Sequence, residues 1–127
     1  MAIVLIVDDE LAIVETLAEI LAWARYEVIT ASNGQEGLNE LAKSPDVVLV
    51  DYMMPIMDGL QMLRALRADP RHRRLPVILM SAAGVETVRA AARMGGNRKP
   101  PWDAFVAKPF TPEVLLTTIQ GLLRPRR

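Results

Sequence analysis

"DVVLVDYMMPIMDG", residues 46–59, sets a four-residue apolar run (47–50) directly against a carboxylate at Asp51, then an apolar loop, then Asp58-Gly59. A run this short, rich in β-branched residues and closed by turn formers, predicts a strand rather than a helix. It shows no polar alternation, which predicts burial on both faces, as in a parallel sheet covered by helices. Asp51 therefore stands at the tip of a greasy strand with little to solvate it. Such a charge needs a compensating cation, a chemical task, or both.

The pattern repeats outward from this stretch. "AIVLIV" (2–7), "YEVIT" (26–30), "PVILMS" (76–81) and "AFVA" (104–107) read as four more strands. Between them lie helical patterns. Residues 10–24 carry Leu11, Val14, Leu17, Ile20 and Leu21 at spacings that put them on one face. Residues 34–43 follow Asn33 as cap, and 58–68 begin at Asp58 and end at Asp69-Pro70. A fourth helix is expected over 84–94 and a fifth over 111–124, the last with Thr111 as cap and Pro112 in its first turn. Five strands alternating with five helices predict one α/β domain, a doubly wound (βα)5 parallel sheet in three α/β/α layers. The expected domain spans 1–127, with no second domain in the chain.

Composition narrows the function classes. Fifteen basic and fifteen acidic residues cancel, so no global field draws nucleic acid or anionic lipid. The absence of cysteine excludes disulfides and thiolate metal sites. The apolar start is too short to span a membrane and lacks a basic leader, so a soluble cytoplasmic domain without a membrane partner is expected.

In a doubly wound sheet, sites gather at the carboxyl ends of the strands. The first strand ends in Asp8-Asp9-Glu10, the third in Asp51, the fourth in Ser81 and the fifth in Lys108. Each alone reads as a cap, a turn former or a solvated end. Together they bring carboxylates, a hydroxyl and an amine to one edge. Clustered carboxylates repel unless a cation compensates them, hard oxygens suit Mg²⁺, and a carboxylate can serve as a phosphoryl-accepting nucleophile.

With "LIVDDE", "VVLVDYMMPIMDG", "VILMSA" and "FVAKPF" in this order on these strands, the chain resembles the receiver domain of two-component response regulators, the CheY-like family, over essentially its whole length. That resemblance implies a flavodoxin-like fold and a phosphorylation-dependent switch in a phosphorelay. It makes Asp51 the phosphoacceptor, with Mg²⁺ (or Mn²⁺) held by Asp8, Asp9, Asp51 and the backbone carbonyl of Met53. Ser81 and Lys108 would contact the phosphoryl group. Phe105 stands where the family carries an aromatic that turns inward on activation, here without a phenol hydroxyl. Lys108-Pro109 resembles the family's cis peptide. Met53 and Ala83 are the side chains expected to flank the path of a hydrolytic water.

The implied partners are a sensor histidine kinase or phosphotransfer protein, and a downstream effector docking on helix 4, strand 5 and helix 5. A homodimer stays open. The chain is then a phosphoacceptor catalysing its own phosphorylation and dephosphorylation, not a metabolic enzyme. Two readings compete. Haloacid-dehalogenase phosphatases use similar groups, but place the nucleophile in an Asp-x-Asp motif after the first strand. A pseudo-receiver would bind partners without turning over phosphate.

One stretch departs from the family. "MGGNRKPPWDAF" (94–105) lengthens the path from Ser81 to Lys108. Gly95-Gly96 should end helix 4, Pro100-Pro101 forbid helix, and Trp102 is the expected anchor. It is either a passive surface insertion or a docking element. His72, in the "DPRHRRLP" loop, is expected to be solvent-exposed and away from the site. Arg71, Arg73 and Arg74, and Arg124, Arg126 and Arg127, are expected to be solvated ends. No helix-turn-helix accompanies them, so direct DNA contact is not expected.

Overall fold

The apolar runs become strands and the periodic stretches helices in a computed structural model that describes residues 1–96 and 98–123. The strands are β1 (Ile3–Val7), β2 (Glu27–Ala31), β3 (Val47–Asp51), β4 (Val77–Ser81) and β5 (Ala104–Ala107). The helices are α1 (Leu11–Trp23), α2 (Gly34–Glu40), α3 (Gly59–Ala68), α4 (Val85–Met94) and α5 (Pro112–Leu123). Single 3-10 turns at Leu41–Lys43 and Pro70–His72 follow α2 and α3. The expected basic groups at Arg124, Arg126 and Arg127 lie outside the described residues, as does the last residue of the helix expected over 111–124.

All pairings are parallel, in the order β2-β1-β3-β4-β5. Side chains alternate across the sheet, so each strand feeds two separate apolar layers. Leu5, Val7, Val48, Val50, Val77 and Leu79 pack on one face with Leu60, Leu63 and Leu66 of α3 and Val88 of α4. Val4, Ile6, Val47, Leu49, Ile78 and Met80 pack on the other with Leu17 and Leu21 of α1 and Leu115 and Ile119 of α5. Burying one such side chain contributes about 1.5–3 kcal/mol, which makes β1, β3 and β4 the rigid centre.

The expected caps form. Asn33 accepts the Glu36 N–H at 2.9 Å, and Thr111 Oγ1 accepts the Val114 N–H at 3.2 Å. Asp58 accepts from Gln61 while the Gln61 side chain accepts the Asp58 N–H, a complete capping box.

Three expectations need correction. β2 is an edge strand with Glu27 and Thr30 exposed, so burial on both faces fails there. Leu11, grouped with the apolar face of α1, is 69% exposed because the first residue of the helix lies beyond the carboxyl end of β1. His72 is not a freely exposed loop residue: it is half-buried in a 3-10 turn, its Nε2 3.9 Å from Asp69 Oδ2. The turn precedes β4, at the end of the sheet opposite the site, so its expected distance from the site holds.

Candidate functional site

The chain runs from β1 to β2 on one side, then crosses to β3 on the other side of β1. The two crossovers leave in opposite directions and open a crevice beyond the carboxyl ends of β1 and β3. Asp8 and Asp9 follow β1, and Asp51 ends β3. One oxygen from each of the three carboxylates lies within 4.8 Å of the others. Asp8 and Asp51 are buried, while Asp9 faces solvent.

Lys108, just past β5, reaches across the end of β4 into this cluster. Its Nζ lies 2.9 Å from Asp51 Oδ1 and 3.1 Å from Asp8 Oδ2. The strand that spaces them, β4, ends in buried Ser81, whose carbonyl accepts the Lys108 N–H at 2.9 Å. Ser81 Oγ accepts the Ala83 N–H at 2.9 Å, which fixes the hydroxyl at the rim. The Lys108-Pro109 peptide bond is cis.

The electrostatics follow from burial and crowding. Burial pushes the Asp51 carboxyl up from its ordinary value; the Lys108 hydrogen bond opposes this, and the charges of Asp8 and Asp9 add to it. For Lys108, burial alone would lower the ammonium, but its bonds to Asp51 and Asp8 outweigh that and the net shift is upward. One ammonium against three carboxylates leaves an excess of negative charge. A divalent cation with a preference for oxygen ligands fits that donor set.

The loop leaving Asp51 is held by backbone contacts that reveal why glycine follows Asp58. The Gly59 N–H donates to the Tyr52 carbonyl at 2.8 Å, and a Cβ on Gly59 would stand 2.5 Å from the Asp51 carbonyl oxygen. Only a residue without a side chain lets α3 start so close to the backbone of Asp51. Within the loop, Ile56 adopts φ +71° and is 82% exposed. Its residue type gave no warning, because β-branched side chains rarely enter the left-handed region. Met53 is 68% exposed and Ala83 half-buried, both on loops that leave the site's strands.

Beneath β5 the structure holds a group that the sequence reading missed. Arg67, at the end of α3, donates to the carbonyls of Pro101, His72, Arg73 and Leu75 and to Asp103 Oδ2. Asp103 Oδ2 also accepts the Val77 N–H at 2.8 Å. Trp102 is buried as expected of an anchor, with its ring centroid 5.9 Å from that of Phe105. Phe105 is half-buried against the same apolar layer. A planar five-donor guanidinium can serve several acceptors at once, but nothing in the local sequence marks which arginine does so.

The comparisons agree with this geometry. Residues 4–120 match the response regulator receiver domain, and the chain belongs to that family. It is 38% identical over 122 residues to the probable transcriptional regulator ycf27 of Guillardia theta, covering 95% of this chain and 45% of that protein. It is 33% identical to the phosphate regulon transcriptional regulatory protein PhoB of Pseudomonas aeruginosa, covering 95% of this chain and 51% of that one. The chain thus spans about half the length of these curated relatives. Among solved structures, the chemotaxis protein CheY4 of Vibrio cholerae superposes with a TM-score of 0.85 at 32% identity, covering 97% of this chain and 99% of that one. The chain is the receiver domain of a two-component response regulator, a signalling switch rather than a metabolic enzyme. No helix among the described residues is long and apolar enough to cross a membrane.

Proposed function

We propose that Asp51 accepts a phosphoryl group from the phosphohistidine of a sensor kinase or phosphotransfer protein, and that the chain acts in the cytoplasm as one phosphoacceptor unit over residues 1–127. The observation that carries this reading is the Lys108 ammonium bridging Asp51 and Asp8 at 2.9 and 3.1 Å, with Asp9 alongside.

An Asp51 carboxylate oxygen attacks phosphorus as the donor's P–N bond breaks, and the electron pair stays on the imidazole nitrogen. Positioning and charge neutralisation dominate such transfers. β3, bonded on both sides, fixes the nucleophile. Asp8, Asp9, Asp51 and the Met53 carbonyl are the groups we assign to hold Mg²⁺, which when bound would neutralise charge shared by carboxylate and phosphoryl oxygens. Lys108 can exchange its bond to Asp51 for one to a phosphoryl oxygen, and the Ser81 hydroxyl, which accepts from Ala83, can donate its proton to another. Water then attacks phosphorus, restoring the carboxylate and releasing inorganic phosphate. Phe105 follows Ser81 inward, and the surface of α4, β5 and α5 carries the change to an effector protein.

Mass spectrometry after acetyl phosphate and Mg²⁺ tests the assignment. A single base-labile adduct at Asp51, absent without Mg²⁺ and absent from Asp51→Asn, is expected. Equal labelling of Asp51→Asn would overturn it. A pseudo-receiver would take no label at all, and a phosphatase would release phosphate from small substrates catalytically.

A further inference from the structure

The neutral net charge conceals a strong separation. Residues 1–58 carry eleven acidic and two basic side chains, whereas residues 59–103 carry nine basic and three acidic. The fold sets most of the second group along the end of α3, α4 and the lengthened loop before β5, whereas Arg71 and Arg74 line a separate groove with residues of α2. Arg89 and Arg93, one helical turn apart on α4, line a groove of about 260 Å³ with Arg98 and Pro100 of the loop. Pro100 also borders a second groove, of about 470 Å³, reached by Arg73. The two grooves therefore meet at Pro100 in one basic band.

Five of these nine basic side chains make no ion pair among the described residues. Arg89 pairs with Glu86, Arg67 with Asp103 and Arg71 with Asp69. Arg73, Arg74, Arg93, Arg98 and Lys99 are exposed and make no ion pair among the described residues. Unpaired like charges gathered along one surface repel, so such a band gains from an anionic partner. Guanidinium groups suit that role because they grip carboxylates and phosphates in two-point fashion.

We infer that this band, with the lengthened loop as one wall, docks an acidic polypeptide segment of a partner protein. Exposed Pro100 lines the groove between the cations and offers a peptide apolar contact there. A nucleic acid duplex fits less well. It presents a phosphate roughly every 1.7 Å of axis and would press some of them against Glu86 and Asp69. A polypeptide can place its carboxylates to miss both acids. The docking surface does not depend on the chemistry assigned to Asp51.

Fluorescence anisotropy with a short labelled poly-glutamate peptide tests the inference, alongside a labelled DNA duplex of similar charge. Poly-glutamate is expected to bind at low salt and weaken as salt rises. Arg93→Glu with Arg98→Glu should weaken it about tenfold, and the milder Arg93→Gln with Arg98→Gln should weaken it in the same direction. Arg25→Glu, outside the band, should leave affinity unchanged. The double variants should keep their melting temperature and their labelling at Asp51 by acetyl phosphate, since all these side chains are exposed and far from the site. Undiminished peptide binding by the Arg93 and Arg98 variants would overturn the inference. So would tighter binding of the duplex than of the peptide, or sedimentation showing self-association that these variants abolish.

Discussion

The Trp102 ring packs against Phe105 with centroids 5.9 Å apart and planes tilted by 55°. Trp102 is buried while Trp23 is 85% exposed, so the two indoles report on different environments. Beryllofluoride with Mg²⁺ should change the emission of Trp102 if Phe105 moves toward Ser81. A Trp23→Phe variant should keep the whole change. No change at saturation would mean that Phe105 stays in place and that the loop is passive.

The buried Asp51 carboxylate makes stability depend on pH in a definite direction. Its pKa is raised in the folded chain, so the folded state holds the proton more tightly than the unfolded one. The associated stability is present below the ordinary carboxylate pKa and is lost as pH rises through the raised folded value. Without divalent metal at pH 7, Asp51→Asn should therefore melt higher than the parent, on the order of 1 kcal/mol or about 3–5 °C. The gap should close on acidification. Added Mg²⁺ should reverse the order, because it stabilises the parent more than a variant with one anionic ligand fewer. Thermal melts with chelator and with Mg²⁺, from acid to neutral pH, check both signs.

Gly59→Ala sets a methyl group against the Asp51 carbonyl oxygen, where an ideal Cβ would stand at 2.5 Å. Overpacking against backbone cannot relax by a rotamer change, so a loss of about 2–3 kcal/mol in denaturant unfolding is expected. Labelling of Asp51 should slow as well, since its backbone must shift.

Ile56→Gly should have the opposite effect. The side chain is exposed and makes little contact, while its backbone sits at φ +71°. Removing the branched Cβ relieves left-handed strain of about 1–2 kcal/mol, offset in part by the chain entropy of glycine. A net gain of up to about 1 kcal/mol is expected from chemical denaturation.

Met53 and Ala83 offer a hydrolytic water no hydrogen bond, and the exposed Met53 side chain can cover the approach to Asp51. Self-dephosphorylation should therefore be slow. Met53→Asn and Met53→Glu should shorten the lifetime severalfold, which loss of the base-labile adduct over time measures. Rates no faster than the parent's would count against shielding.

The strand at 47–51 and its neighbours are legible because a doubly buried strand must be apolar throughout, and the carboxyl-end rule then sets Asp8, Asp9, Asp51, Ser81 and Lys108 on one edge of the sheet. The structure brings the three carboxylates and Lys108 into one cluster, with Ser81 at its rim. What the sequence hid depends on single contacts rather than patterns. Arg67 looks like any solvated arginine at the end of a helix, and only the path of the loop around Pro101 and Asp103 makes it a tether. Leu11 has the periodicity of a core residue but lies beyond the sheet that would have covered it. The charge separation escaped because a net value of zero says nothing about where charges fold together.

The strand order has a mechanical consequence. Asp51 stands on β3, hydrogen-bonded to a neighbour on each side, whereas Phe105 belongs to β5, which has only one, and Lys108 directly follows that strand. Displacing β3 would break two ladders, but β5 can slide against β4 alone, restrained at its start by the Arg67–Asp103 tether. Asp51 thus sits on the stator of the domain, and Lys108 at the end of its freer edge, which is tethered at Asp103. A force applied at the loop before β5 falls on that tether and not on the strand that carries Asp51.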